Sequence, residues 1–285
     1  MMKKLNILLL LLLIIFSLIS LFPIYWTIIT ALKVNSEIFT TVPIFFPVKI
    51  TLSNFYTPGQ TFGAVSQTAF GSFPWLLNSA VIALLSALIG TFLIGAPAAY
   101  ALTRYLKNVW LGRTVLLMMM IPEAALIIPF YIIIIKVNLI NTWWGLTLVY
   151  LSFTAPLSTW LLMGFFSDLP RSVEEAASID GLSAYKIFYK IAMPMIMPGI
   201  MVSIILNFIN SWNEFLYALV LTYTPFPTGA QTVPLFLSDF IVIEKSFAWG
   251  GLAAAGVIVI IPTIIIGIYA QKYLVKGWTM GAVKE

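Results

Sequence analysis

Two carboxylates sit inside otherwise apolar stretches of this chain, and they are the first residues to ask for chemistry. Glu214 lies beside Asn207, Asn210 and Asn213, and steps of three and four place Asn207, Asn210 and Glu214 on one helical face. Glu123 lies between Pro122 and Pro129. Ionisable groups at membrane depth are costly and usually face a cavity or a partner. A stripe of amides and carboxylates suits a hydroxyl-rich ligand, with Trp212 and Phe208 nearby to stack on ring faces. The plainer reading is that the stripe joins helices by interhelical hydrogen bonds, at roughly 0.6 kcal/mol each. Glu123 also has two readings, a lining of the same cavity or a structural anchor near the interface. The chain has no histidine and no cysteine. It therefore lacks the commonest metal ligand, the ordinary neutral-pH proton shuttle and any disulfide, which makes a catalytic metal or an acid–base enzyme a poor fit.

The elements that must position these residues are membrane spans. Of the 285 residues, 61% are hydrophobic and 9% charged, and the mean hydropathy is +1.03. So little polar surface cannot coat a water-soluble globule of this length. Apolar runs long enough to cross the hydrocarbon core predict an all-α membrane protein with six spans, near 5–32, 75–102, 114–135, 143–166, 194–222 and 247–271. The first run follows Met1-Met2-Lys3-Lys4 like a secretory signal, but its length and lack of an early small-residue cleavage site predict a retained span. All but four of the 15 Lys and Arg residues fall on one side of this arrangement, the exceptions being Lys33, Lys49, Lys136 and Lys245. The positive-inside rule then puts both termini in the cytoplasm. Topology accounts for the net charge of +5 and no nucleic-acid partner is needed.

The connecting segments differ in character. Residues 33–74, rich in Ser and Thr and punctuated by Pro43, Pro47, Pro58 and Pro74, read as an irregular outside loop. The segment 174–194, EEAASIDGLSAYKIFYKIAMP, is too polar to span and faces the cytoplasm. Ser172 and Glu175 have capping-box spacing, and Asp180-Gly181 stops the helix they begin. Ser183 is placed to cap a second helix that Pro194 ends. The first helix is acidic and carries small Ala176 and Ala177, which suits docking to an arginine on another protein. The alternative is an ordinary amphipathic loop lying on the membrane surface, which would favour a basic polar face and bulky apolar residues where this helix is acidic and alanine-rich.

Within the spans, Gly90, Gly95 and Ala99, and Gly251, Ala255 and Gly256, allow close packing. Pro97, Pro129, Pro156 and Pro262 invite kinks. Trp26, Trp75, Trp110, Trp143, Trp144 and Trp249 cluster near span ends as interfacial anchors, and Asn78 reads as an interfacial residue.

The spacing Glu175-Ala176-Ala177, Gly181 and Ile191-Ala192-Met193-Pro194 resembles the E-A-A-x3-G-x9-I-x-L-P loop of permease subunits in ATP-binding-cassette importers, with Met193 in place of leucine. NSAVIALLSALIGTFLIGAPAAYALTR at 78–104, WNEF at 212–215 and YLVKGWTMGAVKE at 273–285 narrow the resemblance to the maltose-type second permease of carbohydrate uptake. LKVNSEIFTTVPIFFPVKITLSNF, at 32–55, looks like that family's first outside loop. The resemblance implies one six-helix permease domain over 1–285, a coupling loop at 167–193, and a coupling helix in which Glu174, Glu175, Ala176, Ala177, Asp180 and Gly181 meet a separate ATPase. It also implies a tail contact through Gly277, Trp278, Gly281 and Val283. The implied partners are two ATPase subunits, a second and non-identical permease, and an extracytoplasmic sugar-binding protein. No phosphate-cradling G-x-x-x-x-G-K-[ST] loop is present, so ATP and magnesium belong to the ATPase and this chain has no cofactor of its own. The contrasting hypotheses are an ion-coupled transporter or channel using Glu123 and Glu214, and a membrane enzyme, for which no paired catalytic constellation exists.

Overall fold

The computed structural model describes residues 2–56, 68–106, 109–224, 227–238, 240 and 249–282; for 2–8, 109, 270 and 272–282 it describes the backbone alone. Every regular element among the described residues is helical. Those that matter for function are α1 (Met2–Ala31), α2 (Ala69–Leu106), α3 (Val109–Met119), α4 (Glu123–Lys136), α5 (Trp143–Asp168), α6 (Arg171–Ile179), α7 (Ala184–Met195), α8 (Met197–Asn213), α9 (Leu216–Leu221), α10 (Val233–Ser238) and α11 (Trp249–Ala282). Four helices are long and apolar enough to cross a membrane, over Leu9–Ala31, Ala69–Leu106, Trp143–Asp168 and Trp249–Tyr269; counting each of two bent pairs as one span gives six.

The bent pairs depart from the sequence expectation, and proline explains both. Residues 114–135 do not form one helix: α3 and α4 meet at 89°. Pro122 has no N–H to continue α3 and pushes the preceding residue out of the helical region, so α4 starts afresh behind an extended Pro122. The span expected over 194–222 is also divided. Pro194 does not end the preceding helix. It sits in the first turn of Met193–Met195, directly after a π-helical turn over Phe188–Ala192. Pro97 likewise follows a π turn, over Ile89–Gly95. In both places the carbonyl four residues back, Lys190 or Leu93, lies in the widened turn, where the clash that normally breaks a helix is relieved. The break comes instead at Ile196, where α7 and α8 cross at 77° and Pro198 sits in the first turn of α8. Glu214 is extended, so α8 stops at Asn213 and α9 is a separate helix.

The chain forms two compact units. In the first, Met1–Phe73 with Phe236–Ile261, the segment after α1 is more ordered than its composition suggests. Lys33 is buried, donates to the Ile44 carbonyl and holds its ammonium 4.3 Å from the centre of the Trp26 ring. Burial pushes Lys33 below its usual value, opposed by the Glu37 carboxylate. Glu37 accepts from the Val48 and Lys49 amides, and Asn54 donates to the carbonyls of Ala31 and Lys33. Pro58 and Lys245 lie outside the described residues.

The second unit is Pro74–Leu235 with Pro262–Glu285. Its core has one cluster around Tyr100, Phe166, Phe188 and Ile200 and another around Ile82, Tyr150, Tyr217 and Leu221. Two of the predicted small residues permit the close approach of α2 and α5: Gly90 faces Thr154 and Gly95 faces Ser158. Asn78, expected near the membrane interface, is fully buried within the protein, donating to the carbonyls of Gly229 and Gln231 and accepting from Trp143 Nε1 at 2.6 Å. Trp75 is buried as well and donates to Gln231 Oε1 at 3.0 Å, whereas Trp110, Trp144 and Trp249 are exposed.

A Cβ on Gly90 would stand 2.5 Å from Thr154 Oγ1 and 2.9 Å from Thr154 Cβ. Gly90→Val is therefore expected to destabilise the bundle by roughly 1–3 kcal/mol, read as a lowered melting midpoint in detergent. Gly164→Ala, whose Cβ meets nothing within 4 Å, should leave that midpoint unchanged.

Candidate functional site

The turn between α8 and α9 builds one side of a cleft of about 570 Å³ lined by Glu123, Ser152, Asn210, Asn213, Glu214 and Tyr217. The cleft brings together four of the five polar residues singled out from the sequence. Asn210 and Asn213 are exposed, and Asn213 Nδ2 donates to its own helix at Ile209 O, 2.8 Å away, leaving its carbonyl oxygen free to face the cleft. Glu123 is exposed in the first turn of α4, and its backbone carbonyl accepts from Tyr217 Oη at 3.1 Å.

Glu214 has a different occupation. Its Oε1 accepts from the Tyr217 amide at 2.7 Å, and its Oε2 accepts from the Ala218 amide at 3.2 Å and from Tyr150 Oη at 2.7 Å. The carboxylate thus caps α9, taking amides that a new helix leaves unsatisfied. It reaches the cleft as a satisfied group, 8% exposed.

Asn207 does not share the cleft. It is fully buried, and its Nδ2 donates to Ser158 Oγ at 2.6 Å and Thr91 Oγ1 at 3.2 Å. Thr91, Ser158 and Ser203 complete a hydroxyl triangle with edges of 2.9–3.2 Å. Here the helix-joining reading of the polar stripe describes the contacts. The expected face is divided because α8 ends at Asn213, so helical spacing no longer relates Glu214 to Asn207. Trp212 and Phe208 are buried and stacked on each other, centroids 5.5 Å apart. The aromatic rings at the cleft are those of Phe153, Phe215 and Tyr217.

The polar hairpin is the second site. α6 begins at Arg171 behind an extended Pro170, two residues earlier than the Ser172 cap expected from sequence. Ser172 is consequently inside the helix, and no capping box forms. Asp180 and Gly181 do stop α6. Gly181 has φ +82°, its amide bonds Ser178 O and the Leu182 amide bonds Ala177 O, which is the Schellman arrangement. Ser183 precedes α7 at the cap position without a side-chain bond.

α6 has two unlike faces. Ala177 is buried and Glu174 half-buried, while Glu175, Ala176, Asp180 and Gly181 are exposed and Ile179 is 87% exposed. Glu174 is held by Arg104, whose Nε donates to Glu174 Oε1 at 2.9 Å, and by Tyr100 Oη at 3.1 Å from Oε2. Sequence reasoning used Arg104 only as a topogenic charge and did not single out Tyr100. Asn141 was also missed. It adopts φ +58°, and its Oδ1 accepts from the amides of Tyr223, Thr224 and Ala230. An Asn in a short polar turn between two apolar runs was the available signal.

Gly277, Trp278 and Gly281 lie in the last turns of α11, described by backbone alone, and Val283, Lys107 and Lys284 lie outside the described residues. Among the described residues no group of three or more Asp or Glu could hold a metal ion.

This architecture recurs in known proteins. The chain aligns along 95% of its length, and 96% of the other, with a chain from the crystal structure of a bacterial ABC transporter involved in the import of the acidic polysaccharide alginate, at a TM-score of 0.72 and 22% identity. It is 34% identical over 279 residues to the sulfoquinovosyl glycerol transport system permease protein of Agrobacterium fabrum, covering 93% of this chain and 89% of the relative. It is also 34% identical over 273 residues to the trehalose/maltose transport system permease protein of Thermococcus litoralis, covering 95% and 94%. Residues 91–280 match the family model for the binding-protein-dependent transport system inner membrane component. With its helical bundle, polar hairpin and near-full-length relatives, the chain belongs to the family of binding-protein-dependent transport system inner membrane components.

Proposed function

We propose that this chain is the transmembrane permease subunit of an ATP-driven importer of a mono- or disaccharide such as glucose, trehalose or maltose, working by alternating access. The observation that carries the reading is the split character of α6: one face is fastened to the chain's own bundle, and the other presents Glu175, Ala176 and Ile179 outward with no covering element among the described residues. That outward face is the coupling surface for an ATPase subunit, in a permease domain extending over 1–285 with six spans, both termini in the cytoplasm and the coupling loop at 167–193. Two such ATPases, a second and non-identical permease and an extracytoplasmic sugar-binding protein complete the complex. ATP and magnesium sit on the ATPases, and this chain performs no covalent chemistry. The tail residues Gly277, Trp278, Gly281 and Val283 add a second contact to the ATPase pair.

The carbohydrate class draws support from the named transport roles of the relatives, among them a trehalose transport system permease protein of Mycobacterium tuberculosis, 35% identical over 213 residues and covering 73% of this chain and 76% of the relative. The cleft is chemically suited to such cargo, since Asn210, Asn213, Ser152 and Glu123 offer mixed donors and acceptors beside Phe153 and Phe215. An ion-coupled mechanism through Glu214 has less support, because three donors already occupy its carboxylate.

Three experiments test this reading. Glu175→Arg should leave membrane insertion intact and abolish the ATP hydrolysis stimulated by sugar-loaded binding protein in the assembled complex; normal stimulation would refute the docking role. Asn210→Ala with Asn213→Ala should cut sugar uptake while leaving the melting midpoint unchanged. Glu214→Gln, which turns an amide donor toward the α9 amides, should instead destabilise the protein by roughly 1–3 kcal/mol, measured as a lowered midpoint.

A further inference from the structure

The groove between α2 and α6 contains the Arg104–Glu174 pair, with both side chains largely buried, at 7% and 13% exposure. Arg104 does more than pair a charge. Its Nη2 donates to the Leu169 carbonyl at 2.9 Å while its Nε holds Glu174 at 2.9 Å. Leu169 is the extended residue that closes α5, and Pro170 is the extended residue that opens α6. One guanidinium therefore bonds both sides of the elbow between the two helices, the last turn of α5 through a main-chain oxygen and the first turn of α6 through a carboxylate.

The elbow needs such a clasp. α6 has nine residues and buries only Ala177, so apolar packing gives it little hold on the bundle, and an isolated helix of that length is marginal. Without the clasp, rotation about the Leu169–Pro170 connection would let α6 swing while α5 stayed still. Tyr100, one turn before Arg104 on α2, fixes the second carboxylate oxygen and so sets the rotation of the Glu174 side chain. Tyr100 is itself packed against Phe166 of α5 and Phe188 of α7, with ring centroids 5.2 and 4.9 Å away. The clasp is thus anchored in the buried core and not on a mobile rim.

We propose that Arg104, with Tyr100, is a positioning residue that locks the elbow, so that α6 moves as one body with α2 and α5 and displacement of α6 by an ATPase is passed to the bundle instead of being absorbed at Leu169–Pro170. This inference rests on the coupling role proposed above for the outward face of α6. Lysine is only a partial substitute for arginine here, because two separated donors of a planar fork reach two acceptors at once and a single ammonium holds them less firmly.

The test uses the complete complex, with permeases, ATPases and binding protein, in proteoliposomes, and measures the number of sugar molecules imported per ATP hydrolysed. Arg104→Gln should assemble with the ATPase, keep basal hydrolysis and lower that ratio at least fivefold, and Glu174→Gln should lower the ratio to a similar degree. Arg104→Lys and Tyr100→Phe should lower it less. Because the two residues act as one clasp, the Arg104→Gln, Glu174→Gln double variant should be no worse than the worse single variant. An unchanged ratio in Arg104→Gln, additive losses in the double variant, or failure of Arg104→Gln to retain the ATPase would each overturn the proposal. Failure of the unaltered chain to co-purify with an ATPase would instead remove the importer reading on which it rests.

Discussion

A backbone amide or carbonyl released by a broken helix has no water to bond in the hydrocarbon core, and this constraint organises the polar residues of the chain. At several helix ends a side chain takes the released groups. Glu214 receives the first amides of α9. Asn141 receives amides from the segment after α9, and Asn78 donates to carbonyls a few residues further on. Thr142 accepts from the Gly145 amide at the start of α5. In the first unit, Asn54 and Lys33 serve the carbonyls at and beyond the end of α1 in the same way. Polar residues in so apolar a chain are thus largely spent on geometry, and those left uncommitted are the informative ones.

That division decides how the cleft is understood. Glu214 and Asn207 are the most deeply buried of the five singled-out residues, and both are committed, one to a helix cap and the other to a hydroxyl network. Asn210, Asn213 and Glu123 remain turned toward open space. Burial therefore selects the structural members of the stripe and exposure selects the candidates for cargo, the reverse of the assumption that the most buried charge is the functional one.

The helical class, the approximate position of each apolar segment, the stop at Gly181 and the close approach at Gly90 and Gly95 were legible because each depends on local composition or on one residue's backbone freedom. The breaks at Pro122 and Ile196 were harder. A proline predicts a kink, but the outcomes differ: the chain turns by 89° at Pro122, a π turn precedes Pro97 and Pro194, and Pro129, Pro156 and Pro262 lie inside unbroken helices. That choice is made by packing and leaves no periodic trace. The capping box failed for a related reason: Pro170 satisfies the start of α6 by its own fixed conformation, so Ser172 is left inside the helix. The bonds of Asn78 and Arg104 were not legible because their partners lie at least 65 residues away in sequence.

Glu174 and Glu175 show how neighbouring residues of one type take opposite tasks. Consecutive positions on a helix are separated by roughly 100° of rotation, so α6 cannot turn both carboxylates the same way. With Ala177 packed inward, Glu174 falls on the flank that meets α2 and finds a guanidinium there, and Glu175 is directed to solvent. The inward carboxylate ties the helix to its own chain and leaves the outward one available to another. A hairpin held only by its outward face would follow its partner without moving the bundle, and one held only by its inward face would give the partner nothing to grip. The proposed transmission across α6 would require both, and on that reading the two adjacent acids form a mechanical unit and not a redundancy.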